Sequence, residues 1–398
     1  MLALVLNTSN PVAGTPTIAG QPHQNNAYFW VMNIIEQSFG EMTDFRLSRS
    51  RLHKLIDIIF MSICGVICGA DDYVGIRLWA IRNEEWLRGY IDLPNGIPSD
   101  DTFRRVFQLL DYEEFSRCFI AFSKKLNTLT SGEVISIDGK CLRGSKGAGL
   151  GKTGLYMVGA WASNNQLLLG QEKVDTKSNE ITSIPKLLDL LQVKGCTITL
   201  DAMGCQKSIA EKIVSKEADY ILSAKGNQPK LQEQIVRSFG SLPTESTHTT
   251  HDKGHGRIES RTCEVITDLA WIEDKEDWKD LAAIVKVTSK RHVVSEDKTS
   301  EDIRYFICNQ AFSAEKMLSS IRAHWGIENR LHWQLDISFN EDHNRNRTLN
   351  AAVNFSFLNR FTLNLLKKDT TKISIKHKRH RASGDLIYLA QIIDPNLI

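Results

Sequence analysis

The spacing of apolar residues changes twice along the chain. From Phe29 to about Leu126 they recur three and four apart, as in Leu52-Leu55-Ile56-Ile59-Phe60-Ile63 and Phe103-Val106-Phe107-Leu110, which predicts amphipathic helices. Pro98-Ser99-Asp100-Asp101 supplies an N-cap and an acidic first turn to the second run. At Val134 the period shortens. Val134–Asp138 reads as a buried strand closed by Asp138, and Leu155–Ala162 and Gln166–Val174 read as two more, with Asn164-Asn165 as the turn between them. A helix follows with Pro185 in its first turn and Gly195 just past its end. Then come a fourth strand at Cys196–Asp201, a helix with Ile209, Ile213 and Val214 on one face, a strand at Tyr220–Ala224, and a helix from about Pro229 to Phe239. Charged, His-bearing and β-branched segments such as Arg257–Ile266 and Ala283–Ser289 predict a β-rich insertion. Helical spacing resumes at Ala314 and runs, with breaks, to Lys367.

Three successive strands before alternating helices and strands predict a mixed sheet that opens as an antiparallel meander and is flanked by helices. That is the arrangement of the RNase H-like fold. The expected fold class is therefore α/β, an RNase H-like mixed-sheet catalytic core with a β-rich insertion, preceded by a small all-helical domain. The expected divisions are a flexible tail over 1–27, the helical domain over 28–130, the core over 131–245 and 305–368, the insertion over 246–304, and a basic C-terminal segment over 369–398.

Composition narrows the function classes only a little. With 398 residues, 42% hydrophobic and 24% charged, the chain is ordinary globular protein, and a formal charge of +2 announces no nucleic-acid partner by itself. The first Lys or Arg is Arg46, and the longest apolar stretch, Ile58–Ala70, falls short of the roughly 20 residues that span a bilayer. A soluble cytoplasmic protein without membrane contact is expected. Eight cysteines form no CxxC pair and no finger spacing, so they read as reduced core residues.

Chemistry concentrates in three places. Asp138, followed by Gly139, and Asp201, followed by Ala202-Met203-Gly204, sit at the ends of the first and fourth strands, which lie side by side in the expected fold. Either alone reads more readily as a turn cap. The third place is His324-Trp325-Gly326-Ile327-Glu328-Asn329-Arg330-Leu331-His332-Trp333, where His324, Glu328 and His332 recur every four residues, each about 40° further round a helix, and share one face. Asp336 continues the series but has drifted roughly 120° from His324. HExxH is absent, which disfavours a zinc hydrolase. Three carboxylates from two strands and a helix suit two Mg²⁺ or Mn²⁺ ions about 4 Å apart, one activating water or a 3′-hydroxyl and the other stabilising the leaving oxygen of an in-line displacement. Such a site predicts nuclease or strand-transfer chemistry without a covalent enzyme intermediate.

Several stretches in one order resemble the DDE transposases of bacterial insertion sequences, of the H-repeat-associated kind. They are Ile137-Asp138-Gly139-Lys140 with Arg143-Gly144-Ser145, Lys177-Ser178-Asn179-Glu180-Ile181, and Asp201-Ala202-Met203-Gly204-Cys205-Gln206. Lys225-Gly226-Asn227-Gln228, Gly254-His255-Gly256-Arg257-Ile258-Glu259, His324–Trp333 and Asn350–Leu366 follow, and Pro98–Phe107 resembles the helical domain that precedes the family's core. The resemblance covers about residues 30–390. It implies that Asp138, Asp201 and Glu328 are the catalytic and metal-holding acids of a DNA-cleaving and strand-transferring endonuclease. It also implies double-stranded DNA partners, the element's terminal repeats and target DNA, and a homo-oligomer, expected as a dimer, in the bacterial cytoplasm and nucleoid. The wider superfamily often places Tyr, Arg and Lys around the last acid. Here those positions hold Ile321, His324 and Leu335, so His324 takes the Arg position and is expected to contact phosphate.

Other signals compete. The glycine-rich run Gly144–Thr153 misses both the Walker and the dinucleotide spacing by one residue, at Lys146 and Lys152, and precedes a strand. It reads as a loop near the site, with Lys140, Arg143 and Lys146 as DNA-backbone contacts. Lys376-His377-Lys378-Arg379-His380-Arg381 is the densest basic cluster, giving Lys378, Arg379 and Arg381 as phosphate contacts against the reading of a solvated tail. Arg257 and Arg261 point the same way from one strand, toward DNA. His251 and His255 lack companions for a metal set, and Trp271 and Trp278 read as core before base-stacking residues. Two rival functions follow: a catalytically dead DNA-binding descendant of such an element, and an NTP-binding enzyme built on the glycine loop.

Overall fold

The computed structural model describes residues 35–147, 154–174 and 180–394. The expected tail over 1–27, Lys177-Ser178-Asn179 and positions 148–153 of the glycine-rich run lie outside the described residues.

The first hundred described residues are helical: α1 (Leu55–Ile67), α2 (Tyr73–Arg82), α3 (Glu84–Leu87), α4 (Asp100–Leu109) and α5 (Tyr112–Leu126). Ser99 caps α4 by accepting from the Thr102 N–H at 3.2 Å, as its sequence context predicts. The faces carrying Phe103, Val106 and Phe107 and then Phe115, Phe119 and Phe122 are buried. They pack with the late helix α11 (Ala351–Lys368), whose residues from Ala351 to Leu366 are all buried. Asn354 on α11 donates to the carbonyls of Phe107 and Leu110 at 2.8 and 2.9 Å. A helix enclosed on every side must satisfy its polar groups internally, and these bonds tie both ends of the chain into one core.

The sheet has nine strands: β1 (Val134–Leu142), β2 (Leu155–Ala162), β3 (Leu167–Val174), β4 (Thr197–Leu200), β5 (Asp219–Ala224), β6 (Ser246–Gly254), β7 (Arg257–Ile266), β8 (Ala283–Val293) and β9 (Lys298–Cys308). Their spatial order is β3-β2-β1-β4-β5-β9-β8-β7-β6. The first three pair antiparallel, while β1, β4 and β5 run parallel, which is the RNase H-like core expected from the sequence. The segment read as an insertion continues this sheet, because β9 pairs antiparallel with β5 from Tyr305 to Cys308 and β8, β7 and β6 follow outward.

Helices α6 (Glu180–Leu190), α7 (Lys207–Ser215) and α8 (Pro229–Ser241) alternate with the parallel strands. Pro185 lies inside α6 rather than in its first turn, since the chain is already helical at Glu180. After β9 come α9 (Ala314–Ile327), a π-helical turn over Glu328–His332, α10 (Trp333–Phe339) and then α11. The C-terminal basic segment is not a solvated tail: it folds into α12 (Ile375–Gly384) and α13 (Leu386–Ile393) against the helical layer. Among the described residues no helix is long and apolar enough to cross a membrane. All eight cysteines are free thiols and five are buried.

Candidate active site

Asp138 does not close β1, which runs on to Leu142. It closes only the parallel pairing: Ile137 is matched with Leu200 in the last registered pair of β1 and β4, so Asp138 and Asp201 each follow the point where the two strands part. Side chains placed there face a crevice instead of another strand. One oxygen of Asp201 accepts from the N–H groups of Met203 and Gly204 at 3.0 and 3.2 Å. It therefore caps its turn, as the plain reading of an Asp after a strand holds, and keeps its second oxygen for the crevice. Asn227 and Gln228, in the loop after β5, brace that turn by donating to the carbonyls of Ala202 and Cys205.

The third acid arrives from the helix. α9 crosses β1 and β4, and at Glu328 its winding loosens into the π turn. Single π turns inside α-helices recur at functional sites because the extra residue re-aims side chains. Here His332 Nδ1 lies 3.6 Å from Asp138 and 3.5 Å from Glu328, and one ligand atom from each of these three residues lies within 4.8 Å of the others. Asp138, Asp201, His324 and Glu328 line one pocket of about 400 Å³.

The pocket is electrostatically unbalanced. Burial pushes the Asp138 carboxyl up to about 8, with the negative charges of Glu328, Asp201 and Glu180 adding to it. Glu328, half exposed, is instead held below the usual carboxylate range by the His332 imidazole 3.5 Å away. Glu180, at the start of α6, is raised by burial and then by Asp201. Among the described residues, no Lys or Arg forms an ion pair with any of these four acids. Their oxygens, with one imidazole and no thiolate, are a donor set suited to hard divalent cations.

Two families match this chain. Residues 130–365 match the "Transposase DDE domain" and residues 36–123 the "DDE_Tnp_1-associated" domain. The chain belongs to the DDE transposase family. A proposed transposase, YncI of Escherichia coli O157:H7, is 40% identical over 361 residues, covering 88% of this chain and 92% of its own length. The H repeat-associated protein YhhI of Escherichia coli (strain K12) is 37% identical over 360 residues, covering 88% of this chain and 95% of its own. Among solved structures, a piggyBac transposase synaptic complex with hairpin DNA aligns over 93% of this chain and 80% of its own, at a TM-score of 0.42 and 11% identity.

With the DDE family established, the nine expected DNA contacts divide into two groups. Lys140 is turned inward, its ammonium 2.6 Å from Asp336 and 3.6 Å from Asp342, and only 8% of its side chain is exposed. Asp336, the drifted acid of the helix, is thus the partner of a lysine. Lys378 donates to the carbonyls of Leu366 and Asp369, and Arg379 to those of Val66, Ser338 and Ala70. Both are buried, so neither can reach phosphate: the densest basic run in the sequence is in part an internal clamp. His324 is engaged by Thr199 Oγ1 at 2.9 Å, and burial holds its imidazole below the usual range. Arg143, Lys146 and Arg381 are exposed.

Arg257 and Arg261 do share a face, and that face has more on it. They line a cleft of about 870 Å³ between β7–β9 and α9, with Lys290, Arg291, Arg304, Arg322 and Arg330, against the acids Glu259 and Asp302. The register places Arg291 opposite Glu259 and Arg304 opposite Val287, so period-two alternation on three strands builds the basic floor. Glu259 pairs with both Arg257 and Arg261. Among the described residues Arg291 and Arg330 have no acidic partner. The cleft and the acid pocket share Asp302, Arg304, Phe306, Ile321 and Trp325, so the two lie side by side. Trp278 is core, and Trp271 lies against Arg237, whose guanidinium is 4.2 Å from the ring centre.

Sequence reasoning missed two site residues. His332 shares the face of Glu328 by its spacing, and the structure sets its ring beside Asp138 as well. Glu180 stands in one of the stretches that resemble the family, but sequence reasoning gives it no role.

Proposed function

We propose that this protein is an active DNA transposase that cleaves and joins DNA strands at the ends of an insertion sequence by metal-dependent in-line phosphoryl transfer. The observation that supports this reading is that Asp138, Asp201 and Glu328 line one pocket, beside a basic cleft with which it shares part of its wall. Divalent Mg²⁺ or Mn²⁺, two per site, held by these acids would supply activation of the attacking oxygen and stabilisation of the leaving one. The protein's own part is positioning. β1 and β4 fix two carboxylates on a rigid sheet, the braced turn at Asp201 holds its orientation, and His332 tethers Glu328 to Asp138. The cleft residues Arg257, Arg261, Arg291 and Arg330, with Arg143 and Lys146 at the rim, would take the phosphate backbone of double-stranded DNA. Action on two element ends calls for a homo-oligomer, a dimer in the simplest case, working in the bacterial cytoplasm.

The test is a supercoiled plasmid carrying the element's two ends, incubated with protein and Mg²⁺. Strand breaks at the end boundaries, lost on chelation, are expected; no breaks in either Mg²⁺ or Mn²⁺ would overturn the reading.

A further inference from the structure

We propose that Glu180 is a fourth carboxylate of the divalent-metal site, acting beside Asp138 and Asp201. The inference rests on the metal-dependent reading above and deepens it.

The structural ground is Gly139, the residue after Asp138. Its backbone is not in the left-handed region, so conformation does not call for glycine there. Space does: a Cβ at this position would fall 2.6 Å from the carboxyl carbon of Glu180 and 3.1 Å from its second oxygen. The Glu180 carboxylate therefore lies against β1 at the position next to Asp138, reaching back from the start of α6. An acid at a helix start is ordinarily satisfied by the helix dipole at the surface. This one is partly buried, has no basic partner among the described residues, and is close enough to Asp201 for that charge to act on it.

The acids fall into two groups about Asp138. Glu328 lies on the His332 side of Asp138, whereas Glu180 lies on the side of Gly139. On the Glu180 side Asp201 has already committed one oxygen to its turn, leaving a hard cation short of protein oxygens. A fourth carboxylate fills that want. It also brings four negative charges against the four positive charges of two divalent ions, a balance three acids do not reach.

The test is Mn²⁺ binding by the full chain, followed by calorimetry and by the spin-resonance signal of free Mn²⁺, in wild type, Glu180→Gln, Glu180→Asp and Asp138→Asn. Circular dichroism checks folding. Glu180→Gln is expected to lose one of two ions or weaken it by about 10-fold or more. Glu180→Asp separates the roles, since Asp serves a helix start as well as Glu but is too short to keep a ligand's position. Weakened Mn²⁺ binding in Glu180→Asp supports the inference, and wild-type binding there overturns it, whether or not Glu180→Gln folds. If Asp138→Asn also binds as wild type does, the metal-site reading itself falls.

Discussion

His332 Nδ1 stands between two carboxylates, 3.6 Å from Asp138 and 3.5 Å from Glu328. Through it the helix acid is held to the strand acid. His332→Ala is expected to lower the cleavage rate by about 10- to 100-fold while leaving DNA affinity unchanged, because the three acids remain but Glu328 loses its tether. Single-turnover cleavage beside an anisotropy titration measures both. A wild-type rate would reduce His332 to packing.

Asp138 gives a pH dependence. Its carboxyl is raised from 3.8 to about 8, chiefly by burial, so the folded chain binds this proton more tightly than the unfolded chain does. Stability from this group is then fully present below about 4 and is lost as pH rises through about 8. In chelator, the unfolding midpoint should fall across that window, the fall should flatten in Asp138→Asn, and divalent metal should stabilise most at the upper end. A flat wild-type profile in chelator would refute the imbalance.

Lys378 and Arg379 should behave as structural residues. Each holds buried backbone carbonyls, and unsatisfied buried groups cost about 1–3 kcal/mol each. Lys378→Ala and Arg379→Ala should therefore lower the denaturant midpoint and leave the salt dependence of DNA binding intact. A reduced salt slope in folded variants would return them to the DNA interface.

Arg291 and Arg330 should behave in the opposite way. Both line the basic cleft without an acidic partner among the described residues. Removing either is expected to weaken binding to any DNA sequence and to lower the slope of log affinity against log salt by about 1, with little loss of stability. Unchanged slopes for both would place the DNA elsewhere.

How much of this was legible in the sequence depends on whether the signal was local. Strand order from Val134 to Ala224 follows from apolar runs and turn residues, and the Ser99 cap follows from a four-residue context, so both were readable. Asp138 and Asp201 were readable as a pair because the fold sets β1 beside β4. The extent of β1 was not, since Gly139 and Lys140 after Asp138 look like a strand's end, and only the pairing with β2 carries the strand to Leu142. Lys140, Lys378 and Arg379 looked like surface charge because their partners, Asp336, Asp369 and Val66 among them, are set by tertiary packing that one segment cannot announce. The π turn is equally silent: the four-residue spacing of Glu328 and His332 fits an ordinary helix. Arg257 and Arg261 share one face by their spacing alone, yet the cleft needs Arg291 and Arg304 from strands whose register the sequence does not specify.

The central claim is tested most directly by DNA cleavage at the element's ends in Mg²⁺, comparing wild type with Asp138→Asn, Asp201→Asn and Glu328→Gln at equal DNA occupancy. Wild type is expected to cut, and each variant to bind the same ends while cutting at least about 100-fold more slowly. Cleavage by Glu328→Gln at the wild-type rate would contradict the account.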